Sequence, residues 1–166
     1  MRIENVNPYG ATSLEAIADF EVRLGVLLPA EYKAFLLDSN GGYPTPNIFV
    51  VPGWYGYGNS VMSFYGIHNG SEVKRLDKAC KVYDERVPAD LIPIAYDAND
   101  NNICLGWKGE RKGKVYFWDH EDELDEDGDF VTDYRNVYLV ASSLQEFLDG
   151  LMTDEEYDKL PRPLPT

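Results

Sequence analysis

Residues 91–119 have the sequence LIPIAYDANDNNICLGWKGERKGKVYFWD, in which three apolar segments are separated by two turn-like segments. The apolar segments, at 91–97, 102–107 and 114–119, are rich in β-branched and aromatic residues, as strands are. Asn, Asp, Gly and charged residues fill the connections, and connections this short join antiparallel neighbours. The stretch therefore predicts three consecutive strands of an antiparallel sheet.

Two amphipathic helices are predicted ahead of this sheet. Thr12 and Glu15 have the spacing of a capping box for a helix over 13–24, which ends at Gly25. A second helix has Pro29 in its first turn and ends at the sequence NGG, whose residues tolerate positive φ. In each helix the apolar residues recur at helical spacing, so that one face is suited to packing on a core.

The remaining elements are assigned from the same patterns. They are strands at 48–52, 59–67 and 134–140 and helices at 71–85 and 142–151. Val73 and Cys80 are predicted on the buried face of their helix, and Ser142 with Gln145 is predicted to cap the last helix. Because helices lie at the two ends and strands in the middle, the order of elements indicates an α+β fold.

The chain is predicted to form one domain over residues 1–152, followed by a Pro-rich tail over 153–166. Its length of 166 residues is enough to bury a core without disulfide bonds. The apolar faces of the predicted helices supply most of that core. The predicted core residues are Ile17, Phe20, Leu24, Tyr32, Phe35, Leu76, Leu144 and Phe147.

The composition is strongly acidic, with 29 Asp and Glu against 15 Lys and Arg and a net charge of −14. Affinity for phosphates comes from Lys and Arg, so this balance argues against direct binding to nucleic acid or to an anionic membrane. A basic protein is the complementary kind of partner. The sequence has no secretory signal pattern, no apolar run of membrane-spanning length and only two cysteines, which predicts a cytoplasmic protein.

Three longer segments carry a family resemblance. They are FEVRLGVLLPAEYKAFLLDSNGG at 20–42, IPIAYDANDNNICLGWKGERKGKVYFWDHE at 92–121 and VASSLQEFLDGL at 140–151. Together they resemble the SUKH superfamily, which contains bacterial immunity proteins and a fungal regulator of cell-wall synthesis. The resemblance implies a single α+β domain, with helices packed on a mainly antiparallel sheet and no catalytic residues. Many bacterial members are similar to antidotes that bind and block a toxin, often a nuclease or a deaminase.

Residues 120–129, HEDELDEDGD, place seven carboxylates in ten positions. Three interpretations compete: a metal site, a solvated loop and a surface for a basic partner. A calcium loop of the EF-hand type needs Gly at its sixth position and Glu at its twelfth. Aligning Gly128 with the sixth position puts Tyr134 at the twelfth, and the sequence DANDNN at 97–102 lacks the Gly and is followed by Lys108 at the twelfth. No metal is therefore expected, and weak cation binding by the acidic stretch stays open.

Catalytic and cofactor motifs are not recognisable in this sequence. The two histidines and two cysteines are scattered without the paired spacings of zinc ligands; they are His68, Cys80, Cys104 and His120. The sequence GWYGYG at 53–58 has its glycines in the wrong order for a dinucleotide-binding loop. We therefore expect no enzymatic activity and no cofactor.

The segment 53–58, called the aromatic loop below, is more informative as a contact surface. Tyr and Trp are favoured at protein interfaces because they add a large contact area together with a polar group. The alternative is that these rings cover one end of the sheet. Combined with the acidic stretch, the loop supplies the candidate toxin-binding residues, which are Trp54, Tyr55, Tyr57, Asp119, Glu121, Asp122, Glu123, Asp125 and Asp127.

The resemblance, together with the acidic composition, implies a non-enzymatic immunity protein that binds and neutralises a cognate basic toxin, such as a nuclease or deaminase. Enzymes that act on nucleic acid need positive clefts, and a carboxylate-rich inhibitor can occupy such a cleft. The alternative is an intracellular protein-binding scaffold or regulatory module, related to the cell-wall synthesis regulator and without a toxin partner. Self-association is left open.

Overall fold

The computed structural model describes residues 2–4 and 9–161. Its architecture is the predicted α+β fold, with helices and antiparallel sheets in one domain. The elements in chain order are β1 (Arg2–Glu4), α1 (Leu14–Leu24), α2 (Ala30–Asp38), β2 (Tyr43–Thr45), β3 (Ile48–Val50), β4 (Gly58–Ser60), β5 (Ser63–Phe64), α3 (Leu76–Val82), β6 (Leu91–Tyr96), β7 (Asn102–Gly106), β8 (Val115–Trp118), β9 (Val137–Ala141), α4 (Leu144–Asp149) and α5 (Asp154–Asp158). None of the helices within the described ranges has both the length and the apolar character needed to cross a membrane.

The main sheet has the strand order β5-β6-β7-β8-β9, and every neighbouring pair is antiparallel. The three consecutive strands predicted in residues 91–119 are β6, β7 and β8. Cys104 lies opposite Tyr116 and Ile103 opposite Phe117 in the β7–β8 pair. The described residues also form two further antiparallel pairs, β1 with β2 and β3 with β4.

Both faces of the central strands β6, β7 and β8 are buried, which explains the continuous apolar sequence of β8. Val115 and Phe117 belong to the larger core, together with residues of α1, α2 and α4. Tyr116 and Trp118 belong to a second apolar cluster that includes Leu91. Successive side chains of a strand point to opposite faces, so β8 contributes to two cores. Of the predicted core residues, Leu24 is half-buried against the core and the others are buried, namely Ile17, Phe20, Tyr32, Phe35, Leu76, Leu144 and Phe147.

The first helix is capped by Ser13, and the prediction of Thr12 with Glu15 was wrong by one residue. The Ser13 hydroxyl accepts the N–H of Ala16 at 3.1 Å, and the Ser13 backbone is extended, as an N-cap requires. At the other end Gly25 has φ 66° and donates its N–H to the Glu21 carbonyl. This left-handed residue ends the helix as predicted.

The cap of α4 differs from the prediction by the same distance. The Ser143 hydroxyl accepts the N–H of Glu146 at 3.0 Å, and the Glu146 carboxylate accepts the N–H of Ser142 at 2.8 Å. The predicted pair was Ser142 with Gln145. Gln145 instead donates its side-chain amide to Asp149 on the exposed side of the helix. Two adjacent serines make the capping position ambiguous in sequence, because either could adopt the extended backbone.

The predicted 71–85 helix is split, and its buried face begins later than expected. A 3-10 turn occupies Glu72–Lys74, and α3 begins only at Leu76. The split has a backbone cause: Gly66 donates its N–H to the Lys74 carbonyl, and Leu76 donates its N–H to the Gly66 carbonyl, each at 2.9 Å. This pairing holds Arg75 in an extended conformation between the 3-10 turn and α3. Val73 lies in the turn and is 73% exposed, whereas it was predicted to be buried.

The segment predicted as a tail from residue 153 is helical at its start. α5 begins with a complete capping box, in which Thr153 accepts the N–H of Glu156 and the Glu156 carboxylate accepts the N–H of Thr153. The helix contacts the β3–β4 pair, and a Cβ at Gly58 would overlap the Tyr157 ring. The segment predicted as a tail over 153–166 therefore begins with a helix that packs on the β3–β4 pair. Residues 162–166 of that predicted tail lie outside the described residues.

Candidate protein-binding surface

The aromatic loop and the acidic stretch, which are far apart in sequence, meet in the fold. The Trp54 indole N–H donates to the Asp119 carboxylate at 2.6 Å, across 65 residues of sequence. The Tyr55 hydroxyl donates to the Glu121 carboxylate at 3.0 Å, across 66 residues. Both bonds join the β3–β4 connection to the segment that follows β8. The aromatic loop therefore contacts the start of the acidic stretch, at Asp119 and Glu121.

The backbone of the aromatic loop explains how Trp54 reaches the sheet. Val51 donates its N–H to the Tyr57 carbonyl at 2.7 Å, and Tyr57 donates its N–H to the Trp54 carbonyl at 3.0 Å, which closes the loop on itself. A Cβ at Gly56 would overlap the Trp54 ring, so the glycine makes room for the indole. That ring lies 4.8 Å from the ring of Phe117, between centroids. Trp54 thus covers the end of the sheet, and the packing interpretation applies to it.

Asp119 has an internal role. Its side chain is fully buried, accepts the Trp54 indole N–H and accepts the N–H of Glu121 at 3.1 Å. Its backbone N–H donates to the Asn136 carbonyl, and its carbonyl accepts the Asn136 side-chain amide. A partner cannot reach this carboxylate without unfolding the loop. Asp119 positions the surface and is not part of its exposed area.

Tyr55 is the exposed member of the aromatic loop, with 70% of its area accessible. The hydrogen bond to Glu121, followed by desolvation and by the charges of Asp119, Glu121 and Asp122, raises the pKa of Tyr55 from 10 to about 12. At neutral pH the hydroxyl is therefore a donor held by an anion. Glu121 and Asp122 are both exposed beside it.

Tyr57 is half-buried and is used in a contact with the C-terminal segment. Its hydroxyl donates to the Pro161 carbonyl at 3.2 Å, and its ring lies 6.2 Å from the ring of Tyr157, between centroids. Its φ of 60° is uncommon for a non-glycine residue and closes the loop at this point. Tyr57 is therefore already engaged, unlike the exposed Tyr55.

Residues 123–131, called the acidic hairpin below, form an ordered turn. Leu124 and Phe130 are bridge partners, Asp125 donates its N–H to the Asp129 carbonyl at 2.9 Å, and Val131 donates its N–H to the Glu123 carbonyl at 2.8 Å. One oxygen of Asp125 accepts two further backbone N–H groups of the turn, at 2.9 and 3.0 Å. The acidic hairpin is therefore ordered, and this network is compatible both with a solvated loop and with a surface for a basic partner.

Glu123 attaches the acidic hairpin to the body of the protein. Its two oxygens accept the Nε and Nη2 protons of Arg86 at 2.8 and 2.9 Å, a bidentate ion pair. The guanidinium also lies over the rings of Tyr83, Trp118 and Phe130, at 4.8, 5.7 and 5.5 Å from their centroids. Glu123 is therefore occupied within the chain, as Asp119 is.

Among the nine predicted contact residues, the structure leaves four exposed: Tyr55, Glu121, Asp122 and Asp127. Asp125 is half-buried in its turn. The prediction missed the exposed Glu126 and Asp129 and, more importantly, the half-exposed apolar pair Leu124 and Phe130. A signal was present, because two large apolar residues flank the DEDGD turn symmetrically. The contact residues were predicted from the acidic composition, which draws attention to the carboxylates and not to the apolar pair.

In the other acidic motif, DANDNN at 97–102, the Asp97 carboxylate accepts hydrogen bonds from within the protein. Asp97 is buried, and its two oxygens accept four of them: from the backbone N–H groups of Asn99 and Asn101 and from the side-chain amides of Asn59 and Asn101. Within residues 2–4 and 9–161, no group of three or more His, Cys, Asp or Glu side chains is arranged to hold a metal ion. Burial also raises the pKa of the Cys80 thiol to about 12, which opposes thiolate formation.

Two comparisons place this chain among known proteins. A family model described as the SMI1 / KNR4 family (SUKH-1) matches residues 11–150. The chain is also 33% identical, over 162 residues, to the SPbeta prophage-derived uncharacterized protein YokK of Bacillus subtilis strain 168, with 87% of this chain and 78% of that protein covered. The match over 11–150 runs from the residue before Thr12 to the end of α4. The chain therefore belongs to the SMI1 / KNR4 family (SUKH-1), as the three sequence segments indicated.

Proposed function

We propose that this chain is a cytoplasmic, non-enzymatic immunity protein that binds a cognate toxin with a basic surface and blocks it. Membership of the SUKH family fits an immunity protein, because proteins of this family generally pair with toxins. The relative YokK is prophage-derived, which also fits. The toxin classes that best match the charge of this chain are nucleases and deaminases that act on nucleic acid.

The observation that carries the proposal is the contact of the aromatic loop, at Asp119 and Glu121, with an acidic stretch whose other carboxylates are mostly exposed. Five exposed carboxylates on it form no ion pair with any cation in the described part of the chain; they are Glu121, Asp122, Glu126, Asp127 and Asp129. Crowding like charges costs free energy through repulsion. A basic partner removes that cost and is attracted from a distance, which favours rapid and selective association.

The arrangement of the histidines supports a binding function over catalysis. His68 accepts the N–H of Gly70 on one ring nitrogen and donates to the Lys74 carbonyl from the other. His120 lies with its Nδ1 2.9 Å from the side-chain oxygen of Asn101. Within residues 2–4 and 9–161, neither ring is paired with Cys80 or Cys104, as a Cys–His nucleophilic pair would require.

The test is a titration of toxin activity. A candidate toxin domain is taken from the genes that neighbour the gene of this chain and is purified, and its activity is measured while this chain is added in increasing amounts. We expect inhibition that is complete near one molar equivalent, together with a complex that co-purifies. If the toxin domain keeps its full activity and no complex forms, the immunity function is wrong and the scaffold alternative gains support.

A further inference from the structure

The acidic hairpin presents an apolar pair in the middle of its charges. Leu124 and Phe130 are bridge partners on its two arms, so their side chains are neighbours. They are 52% and 51% exposed, although both are large and apolar. Single exposed apolar residues are ordinary on protein surfaces, whereas Leu124 and Phe130 are adjacent to each other on an ordered turn.

The pair is held in position before any partner arrives. Phe130 lies against the Arg86 guanidinium, which the Glu123 carboxylate fixes from the other side. The next residue, Val131, is buried. At the tip, the Asp125 carboxylate holds two backbone N–H groups of the turn. A surface ordered in advance loses less conformational entropy on binding than a mobile loop does.

Charge around the pair indicates what it can bind. Glu126, Asp127 and Asp129 are exposed, and none has an ion pair with a described residue. The arrangement is an apolar centre with an anionic rim. Binding hot spots have this organisation, in which a central anchor is desolvated and the surrounding polar groups exclude water. The complementary surface is a concave site with an apolar floor and Lys or Arg around it.

We infer that the acidic hairpin is the docking element of this chain, with Leu124 and Phe130 as its apolar anchor. Its occupant is the positively charged nucleic-acid-binding cleft of the toxin, in which the rim carboxylates take the place of phosphates. The inference rests on the proposed function and makes it more specific.

The experiment measures binding of hairpin variants to an inactivated form of the toxin domain that this chain inhibits in the titration described above. Leu124→Ser with Phe130→Ser is expected to weaken binding by roughly 30-fold or more, mainly through faster dissociation. Leu124→Ser alone, which leaves the Phe130–Arg86 contact intact, is expected to weaken it by roughly fivefold or more. The matched control is Leu27→Ser, because Leu27 is a 59% exposed leucine outside the hairpin.

The outcomes separate the two proposals. If the parent chain binds the toxin domain and both hairpin variants bind within about twofold of it, as Leu27→Ser should, the hairpin is not the docking element, although the immunity function stands. If the parent chain itself neither binds nor inhibits, the proposed function fails and the inference fails with it. Circular dichroism and thermal unfolding show whether each variant is folded, so that a binding loss can be separated from unfolding. If the double variant is unfolded, the binding of Leu124→Ser alone is the decisive test.

Discussion

Two turns of this protein use the same backbone chemistry in opposite surroundings. In the turn after β6, one oxygen of Asp97 accepts the N–H groups of the residues two and four positions later, at 2.8 and 2.9 Å. In the acidic hairpin, one oxygen of Asp125 does the same at 2.9 and 3.0 Å. Asp side chains commonly stabilise turns through such local bonds. The two sequences therefore encode the same local motif.

The two aspartates differ in their second oxygen. That of Asp97 accepts the side-chain amides of Asn59 and Asn101 at 2.6 and 2.8 Å, and the whole residue is buried. The second oxygen of Asp125 receives no side-chain donor from the described residues, and Asp125 is half-buried. The first turn joins β4 to the main sheet, whereas the second presents carboxylates to solvent. Tertiary environment, and not the turn motif, decides whether an acidic turn is structural or available for binding.

The largest expected effect is on stability and separates the two turns directly. Asp97→Ala removes the acceptor of four hydrogen bonds and leaves buried donors without partners, which should cost about 3–5 kcal/mol in free energy of unfolding. Asp125→Ala removes two bonds at a solvated turn and should cost about 0.5–1.5 kcal/mol. Urea denaturation of both variants measures the difference. Equal losses would show that the two turns are equally structural.

The next effect concerns the ion pair that attaches the acidic hairpin. Arg86→Ala leaves the Glu123 carboxylate, only 14% exposed, without its bidentate partner, and we expect a loss of about 1.5–3 kcal/mol. Arg135→Ala is the control, because Arg135 pairs with Asp133 in solvent and should contribute below about 1 kcal/mol. Hydrogen exchange of the hairpin amides should rise in the Arg86 variant alone. Unchanged exchange would mean that the hairpin is ordered without the ion pair.

The fold was largely predictable because its signals are local. Runs of β-branched and aromatic residues marked β6, β7 and β8, and Gly25 ended α1 as expected. What failed depended on distant contacts. The hydrogen bonds of Gly66 with residues 74 and 76 interrupt the predicted third helix. A tail was predicted where α5 forms, and α5 packs on the distant β3–β4 pair.

The candidate surface was only partly predictable, for the same physical reason. The sequence identified both the aromatic loop and the acidic stretch, but hydrogen bonds across 65 and 66 residues bring them together. Composition also cannot distinguish a buried or ion-paired carboxylate from an exposed one, because all of them carry the same charge. Asp119 is internal and Glu123 is paired with Arg86, whereas Asp127 is exposed. The three follow one another within nine residues of the chain.

A smaller effect is expected on the rate of toxin association. Replacing Glu121, Asp122, Asp125 and Asp127 by Gln or Asn keeps the acceptors of the turn and removes the charge. Association with the toxin domain should slow by roughly tenfold at low salt, because charge complementarity accelerates encounter. The difference should shrink as salt is raised, since the screening length is about 8 Å at physiological ionic strength. Stopped-flow association across a salt series measures it, and identical rates at every salt concentration would show that these charges do not steer the toxin.

The smallest effect tests whether Tyr55 and Glu121 form one unit of the exposed surface. The Glu121 hydrogen bond is the largest cause of the raised Tyr55 pKa, so Glu121→Gln should move that pKa from about 12 back toward 10. Because the pKa of Tyr55 is higher in the folded than in the unfolded chain, the neutral tyrosine stabilises the fold below pH 10, and this contribution is lost as pH rises toward about 12.

Phenolate absorbance measured during an alkaline titration follows this group, and subtracting the titration of a Tyr55→Phe variant isolates it from the other 11 tyrosines among the 12 of the chain. Glu126→Gln is the matched control, since it removes an exposed carboxylate that is not among the causes of the shift. An unchanged Tyr55 titration in Glu121→Gln would mean that the hydrogen bond does not persist in solution. Tyr55 would then be an independent exposed ring, and only the acidic hairpin would remain as an ordered anionic element of the surface.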